Sequence, residues 1–134
     1  MFKRESDFQK EVINIFKASL PDSIILKLDA NYIQGIPDLL ILSGSTWAAL
    51  ECKIAEDASH RPNQDFYVCK MSEMSRAYFV YPENLQRVLC DVIYYFKYME
   101  TIEFDSKAFE EYRKAHSQLE TLINTYKYDQ IAAY

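Results

Sequence analysis

Gly35-Ile36-Pro37-Asp38-Leu39-Leu40-Ile41-Leu42-Ser43-Gly44-Ser45-Thr46-Trp47-Ala48-Ala49-Leu50-Glu51-Cys52-Lys53 places two short apolar runs on either side of one glycine-containing turn. Runs this short, with turn residues between them, read as a β-hairpin. Any even-numbered loop centred on Gly44 and Ser45 pairs the flanking residues symmetrically, which sets Asp38 opposite Glu51 on one face of the sheet, Cβ atoms roughly 5 Å apart. Two carboxylates at that distance repel unless positive charge lies between them. Side chains alternate along a strand, so Lys53 shares the face of Glu51 while Cys52 projects to the opposite one. Two acids and an amine thus converge at the open end of the hairpin, a set able to build a metal site that cuts phosphodiesters.

Outward from the hairpin, the pattern predicts an α-β-β-β-α-β order. Ser6 followed by Gln9 is a capping-box signal, and Phe8, Val12, Ile15 and Phe16 repeat at helical spacing until Pro21. A strand is expected over 23–30, the hairpin strands over 36–42 and 47–53, and a last strand from Arg76 to Tyr81, closed by Pro82. After the polar loop 55–61, Pro62 fits the first turn of a helix reaching Met74, with Phe66, Cys69 and Met74 facing inward. Two further helices follow. Leu85, Val88, Leu89, Val92, Tyr95, Phe96 and Met99 form a broad apolar stripe. The second helix, with Asp105 as its cap, spaces Ala108, Tyr112, Ala115, Leu119, Leu122 and Tyr126 by fours and threes, a seam that wants a helical partner. Packing on the preceding helix and a homodimer interface are both open. Residues 1–134 read as a single α/β domain, a core over 1–81 with a helical extension over 82–134.

The chain has 134 residues and 49% apolar composition, enough for one domain with a core. No run of about 18 apolar residues exists, and the start turns polar at once, so neither a membrane span nor a signal peptide is expected and a cytoplasmic location is. Cys52, Cys69 and Cys90 lack CxxC spacing and are expected as reduced thiols. The net charge of −5 argues against indiscriminate nucleic-acid binding. The imbalance is smaller up to Tyr81, where Lys3, Arg4, Lys10, Lys17, Lys27, Arg61 and Lys70 could meet a phosphate backbone, and bound cations would reverse the local sign. No glycine-rich phosphate loop is present, which excludes an NTPase on motif grounds, and no serine or cysteine nucleophile has a convincing base. His60 falls in the polar loop beside the convergent acids.

Gly35-Ile36-Pro37-Asp38, Ala49-Leu50-Glu51-Cys52-Lys53 and Arg61-Pro62-Asn63-Gln64 together resemble the PD-(D/E)xK nuclease superfamily, in the flavour of its VRR-NUC branch and of phage or resolvase-type endonucleases. The resemblance covers roughly residues 1–81. It implies a restriction-endonuclease-like αβββαβ core and Mg²⁺-dependent hydrolysis of DNA, with Mn²⁺ able to substitute and branched or double-stranded DNA as the expected substrate. Asp38, Glu51 and the backbone carbonyl of Cys52 would hold the metal. Lys53 would orient the attacking water and lend charge to the transition state. Such nucleases commonly take another acid from the first helix, for which Glu11 is preferred over Glu5, and Gln64 would bond a phosphate oxygen or Lys53. The alternative is a noncatalytic protein that keeps this fold for binding, such as an inhibitor of a host defence complex, which the acidic charge and tyrosine-rich tail would suit.

Overall fold

A first helix, α1 (Glu5–Ser19), buries Phe8, Val12 and Phe16 completely. It begins one residue before the expected cap. Arg4 occupies the N-cap position in extended backbone and its guanidinium pairs with Asp7 at 3.2 Å, while Glu5 and Asp7 place negative charge at the positive end of the helix dipole. Ser6 therefore lies inside the helix and does not cap it. The helix ends at Ser19, since Pro21 has no amide to continue the ladder.

The computed structural model describes residues 2–101, 110–111, 114–118, 120–122 and 124–125. The chain divides into two compact units, Met1–Thr101 and Ile102–Tyr134. In the first, four strands, β1 (Ile24–Lys27), β2 (Leu39–Ser43), β3 (Thr46–Cys52) and β4 (Arg76–Val80), form one sheet in the order β1-β2-β3-β4. The first three run antiparallel and β4 runs parallel to β3. A parallel neighbour requires a crossover, supplied by α2 (Gln64–Met74). A third helix, α3 (Leu85–Thr101), follows β4. The class is mixed α/β, with the element order α-β-β-β-α-β-α in this unit.

The hairpin register is the one the symmetric turn predicts, with Ser43 opposite Thr46 and Leu39 opposite Leu50. Gly44 opens the two-residue turn at φ 59° and Ser45 is not left-handed, the pattern of a type II′ turn, which glycine adopts at the first position without strain. β1 is shorter than expected and is an edge strand, Ile24 being 59% and Leu26 42% exposed.

The sheet is covered on both faces. Leu39, Ile41, Ala48, Leu50, Cys52 and Val80 pack with Phe8, Val12 and Phe16 of α1 and with Val88, Val92 and Phe96 of α3. Ala49 and Ala77, flanked by Leu40, Trp47 and Phe79, pack with Val68 and Met71 of α2. α3, read from sequence as part of an extension, thus supplies three of the buried side chains of the main core. α2 begins at Gln64, two residues beyond Pro62, behind an Asn63 at φ 71°. Its inward face is Gln64, Val68 and Met71, and the expected inward residues Phe66, Cys69 and Met74 are exposed. Phe66 lies two residues, about 200°, from both Gln64 and Val68, and so falls on the opposite side of the helix.

In the second unit the described residues are helical and exposed, with Thr121 and Thr125 hydroxyls donating to carbonyls one turn back. Ala115 and Leu122 of the expected seam are among them. Asp105, Ala108, Tyr112, Leu119 and Tyr126 lie outside the described residues. No helix among the described residues is long and apolar enough to cross a membrane.

Candidate metal and catalytic site

Asp38 immediately precedes β2 and Glu51 stands near the end of β3, so the pairing of Leu39 with Leu50 brings the two acids side by side. The ladders continue past the strand ends on both sides. Leu28 donates its amide to the Asp38 carbonyl at 2.8 Å, and Lys53 donates its amide to the Val80 carbonyl at 2.8 Å. Asp38 Oδ2 accepts the Cys52 amide at 2.9 Å, which fixes the carboxylate across the hairpin. The Cys52 side chain points into the main core, on the face opposite Glu51, and burial pushes its thiol pKa well up.

The third carboxylate comes from α1, and it is Glu5. Oxygens of Glu5, Asp38 and Glu51 lie within 4.8 Å of one another. Glu11, the expected helix acid, is exposed and is not in this group. The reason is angular. At 100° per residue, Glu5 falls within about 20° of Val12 and Phe16, on the line of the buried stripe, whereas Glu11 is turned about 100° from Val12. Gln9, one turn beyond Glu5, is also close enough to act on Asp38, whose carboxyl pKa it works to lower.

Glu51 is 2% exposed. Its Oε1 accepts the Gln64 side-chain amide at 2.7 Å, while Oε2 is buried with no hydrogen-bond partner. Burial first, then the Asp38 charge, pushes the Glu51 carboxyl up to about 8, against the pull of Lys53. Burial also raises Asp38, countered chiefly by the Cys52 amide and by Lys53. Both acids are therefore held in a site that favours a proton or some other cation on them.

Lys53, also buried, donates to the Ser59 carbonyl at 3.1 Å and to Gln64 Oε1 at 2.8 Å, and its ammonium is 4.0 Å from Glu51 Oε1. Gln64 Oε1 also accepts the Arg61 amide at 2.7 Å. One glutamine at the start of α2 thus ties the amine, the acid and the 59–61 loop together. Its placement depends on Gly35, at φ 91°, where a Cβ would come within 2.6 Å of the Asn63 Cβ. Only glycine lets the loop before β2 lie this close to the residue that leads into Gln64.

Sequence reasoning thus places Asp38, Glu51, Lys53 and Gln64 together, and the structure brings all four into one cleft of about 760 Å³. Glu5, Ser59, Arg61 and part of the 30–36 loop complete its lining. Three clustered carboxylates, one of them with a buried oxygen that has no partner, are a donor set that could hold a metal ion. No protein-family model matches the chain, and no curated protein does.

Ser59 and Gln9 had no signal in sequence: one acts through its carbonyl, and the other was read as half of a capping box. His60 does not line the cleft. Its ring stacks on Phe79 at 4.0 Å and its Nδ1 lies 2.7 Å from Asp65.

Proposed function

We propose that the chain is a divalent-metal-dependent nuclease of the PD-(D/E)xK type that hydrolyses DNA phosphodiester bonds. The observation that carries this reading is the clustering of Glu51, whose Oε2 is buried without a partner, with Glu5 and Asp38, while Lys53 is tied to Glu51 through Gln64. A buried acceptor without a donor costs about 1–3 kcal/mol, and a cation shared by the three acids relieves that cost and their mutual repulsion together. Asp38, Glu51 and Glu5 would hold Mg²⁺, or Mn²⁺ in its place, the position that Glu11 was expected to fill falling to Glu5. The backbone carbonyl of Cys52 remains a further proposed ligand. A bound ion would supply Lewis-acid neutralisation of the phosphate and an acidified water.

The protein's own groups do the rest. An ammonium has three N–H donors, and two of those on Lys53 go to Ser59 and Gln64. The third serves a phosphate oxygen or the attacking water, positioned by Gln64 without the entropy loss of a free lysine. Arg61, at the mouth of the cleft, adds positive charge where negative charge grows at phosphorus. Water adds across the P–O3′ bond, and the 3′ oxygen leaves as a hydroxyl.

Incubation with Mg²⁺ or Mn²⁺ and supercoiled, linear, single-stranded and four-way-junction DNA tests the reading. Wild type is expected to cut at least one of these, and Lys53→Ala and Asp38→Asn to lower the rate by a hundredfold or more. Cleavage that survives both substitutions refutes it. The net charge of −5 favours a second reading, a noncatalytic binding protein. That reading predicts no carboxylate-dependent Mn²⁺ binding by titration calorimetry.

A further inference from the structure

The cleft is poor in the groups that hold duplex DNA. Besides the buried Lys53, the only basic side chain lining it among the described residues is Arg61, against three carboxylates, of which a bound divalent ion offsets only part. Duplex affinity comes mainly from neutralising several phosphates at once, so a substrate of this cleft must be held by something other than charge.

The 30–36 loop offers that something. Ala30, Asn31, Gln34, Gly35 and Ile36 line the cleft, and Tyr32, which follows Asn31 in the chain, is not itself part of that lining and is 85% exposed beside it. The exposure is not that of a loose segment. Asp29 accepts the amides of Tyr32 at 3.0 Å and Ile33 at 3.2 Å on its carbonyl and that of Asn31 at 2.8 Å on its carboxylate. Ile33 accepts the Ile36 amide at 3.2 Å, the bond from Leu28 to Asp38 closes the base of the loop, and Gly35 is seated against Asn63. A large ring is thus displayed on a braced loop with nearly all of its surface in water. A tyrosine ring presented this way stacks on any unpaired base, whatever its sequence.

Resting on the nuclease reading above, we infer that Tyr32 is a stacking platform for an unpaired nucleotide next to the cut site, and that the substrate class is DNA with a single-stranded segment. A base inside an intact duplex has no free face to offer the ring.

The test compares wild type, Tyr32→Ala and Tyr32→Trp. One readout is cleavage in Mn²⁺ of a blunt duplex, the same duplex with a single-stranded flap, and the flap oligonucleotide alone. The other is binding of the fluorescein-labelled oligonucleotide in Ca²⁺, by anisotropy. Wild type is expected to favour the flapped substrate, Tyr32→Ala to lower the flap-to-duplex ratio of kcat/KM and the oligonucleotide affinity by about tenfold or more, and Tyr32→Trp to restore both. An unchanged ratio and affinity in Tyr32→Ala overturns the inference, as does a wild type that cuts blunt duplex as fast as flapped. If wild type cuts nothing yet binds the oligonucleotide in a Tyr32-dependent way, the nuclease reading fails and the stacking site stands. Tyr32 is exposed, so thermal melting should shift by no more than about a degree or two in either variant.

Discussion

Glu51 is the residue on which the site turns. Between its ordinary value of 4.5 and about 8, the folded chain holds a proton on this carboxyl that the unfolded chain has released. Stability of the metal-free protein therefore falls as pH rises through that window. A divalent ion competes with the proton, so the rise in Tm on adding Mn²⁺ should be larger at pH 8 than at pH 6. Glu51→Gln, neutral throughout, is expected to flatten the pH profile, to exceed wild type in EDTA at pH 9 by on the order of 1 kcal/mol or more, and to lose the Mn²⁺ response. Melts by circular dichroism at the two pH values check all three. Gln64 is the complementary case. Truncation to alanine leaves Glu51 Oε1 without its donor and Lys53 without one of its acceptors, at a cost of about 2 kcal/mol in urea unfolding. Activity should fall further than the loss of fold accounts for, because Lys53 is no longer aimed.

At the scale of elements, the two glycines separate conformational cost from steric cost. Gly44→Ala meets nothing within 4 Å and should cost only about 1 kcal/mol, for its φ of 59° alone. Gly35→Ala adds a Cβ 2.6 Å from that of Asn63, so it should cost clearly more in the same urea titration and also reduce Mn²⁺ affinity by displacing the start of α2. The hairpin was legible from residues alone because a tight turn between two apolar runs leaves a single register, and that register fixes Asp38, Glu51 and Lys53 together. α2 was legible in its existence but not in its phase. Phe66 and Met74 lie on its exposed side while Gln64 lies on its buried side, so apolarity pointed the wrong way. The choice of Glu11 over Glu5 failed for a related reason. Both acids flank the apolar stripe read from sequence, and counting Ile15 in that stripe tilts it toward Glu11, whereas the fully buried line of Phe8, Val12 and Phe16 runs on to Glu5.

For the molecule as a whole, the described residues of the main core and of the candidate site all fall within Met1–Thr101. A chain ended after Thr101 is expected to fold cooperatively and to keep its Mn²⁺-dependent stabilisation, read by the same thermal melts. A loss of both would show that the remaining residues are needed for the fold. The bare edge of the sheet has another consequence. Ile24-Ile25-Leu26-Lys27 carries one charge and two well-exposed aliphatic residues on a strand whose outer amides and carbonyls have no neighbouring strand among the described residues. Such a border is a template for a foreign strand, and Lys27 is its lone gatekeeper. Crowded expression will drive the protein toward inclusion bodies through this border first.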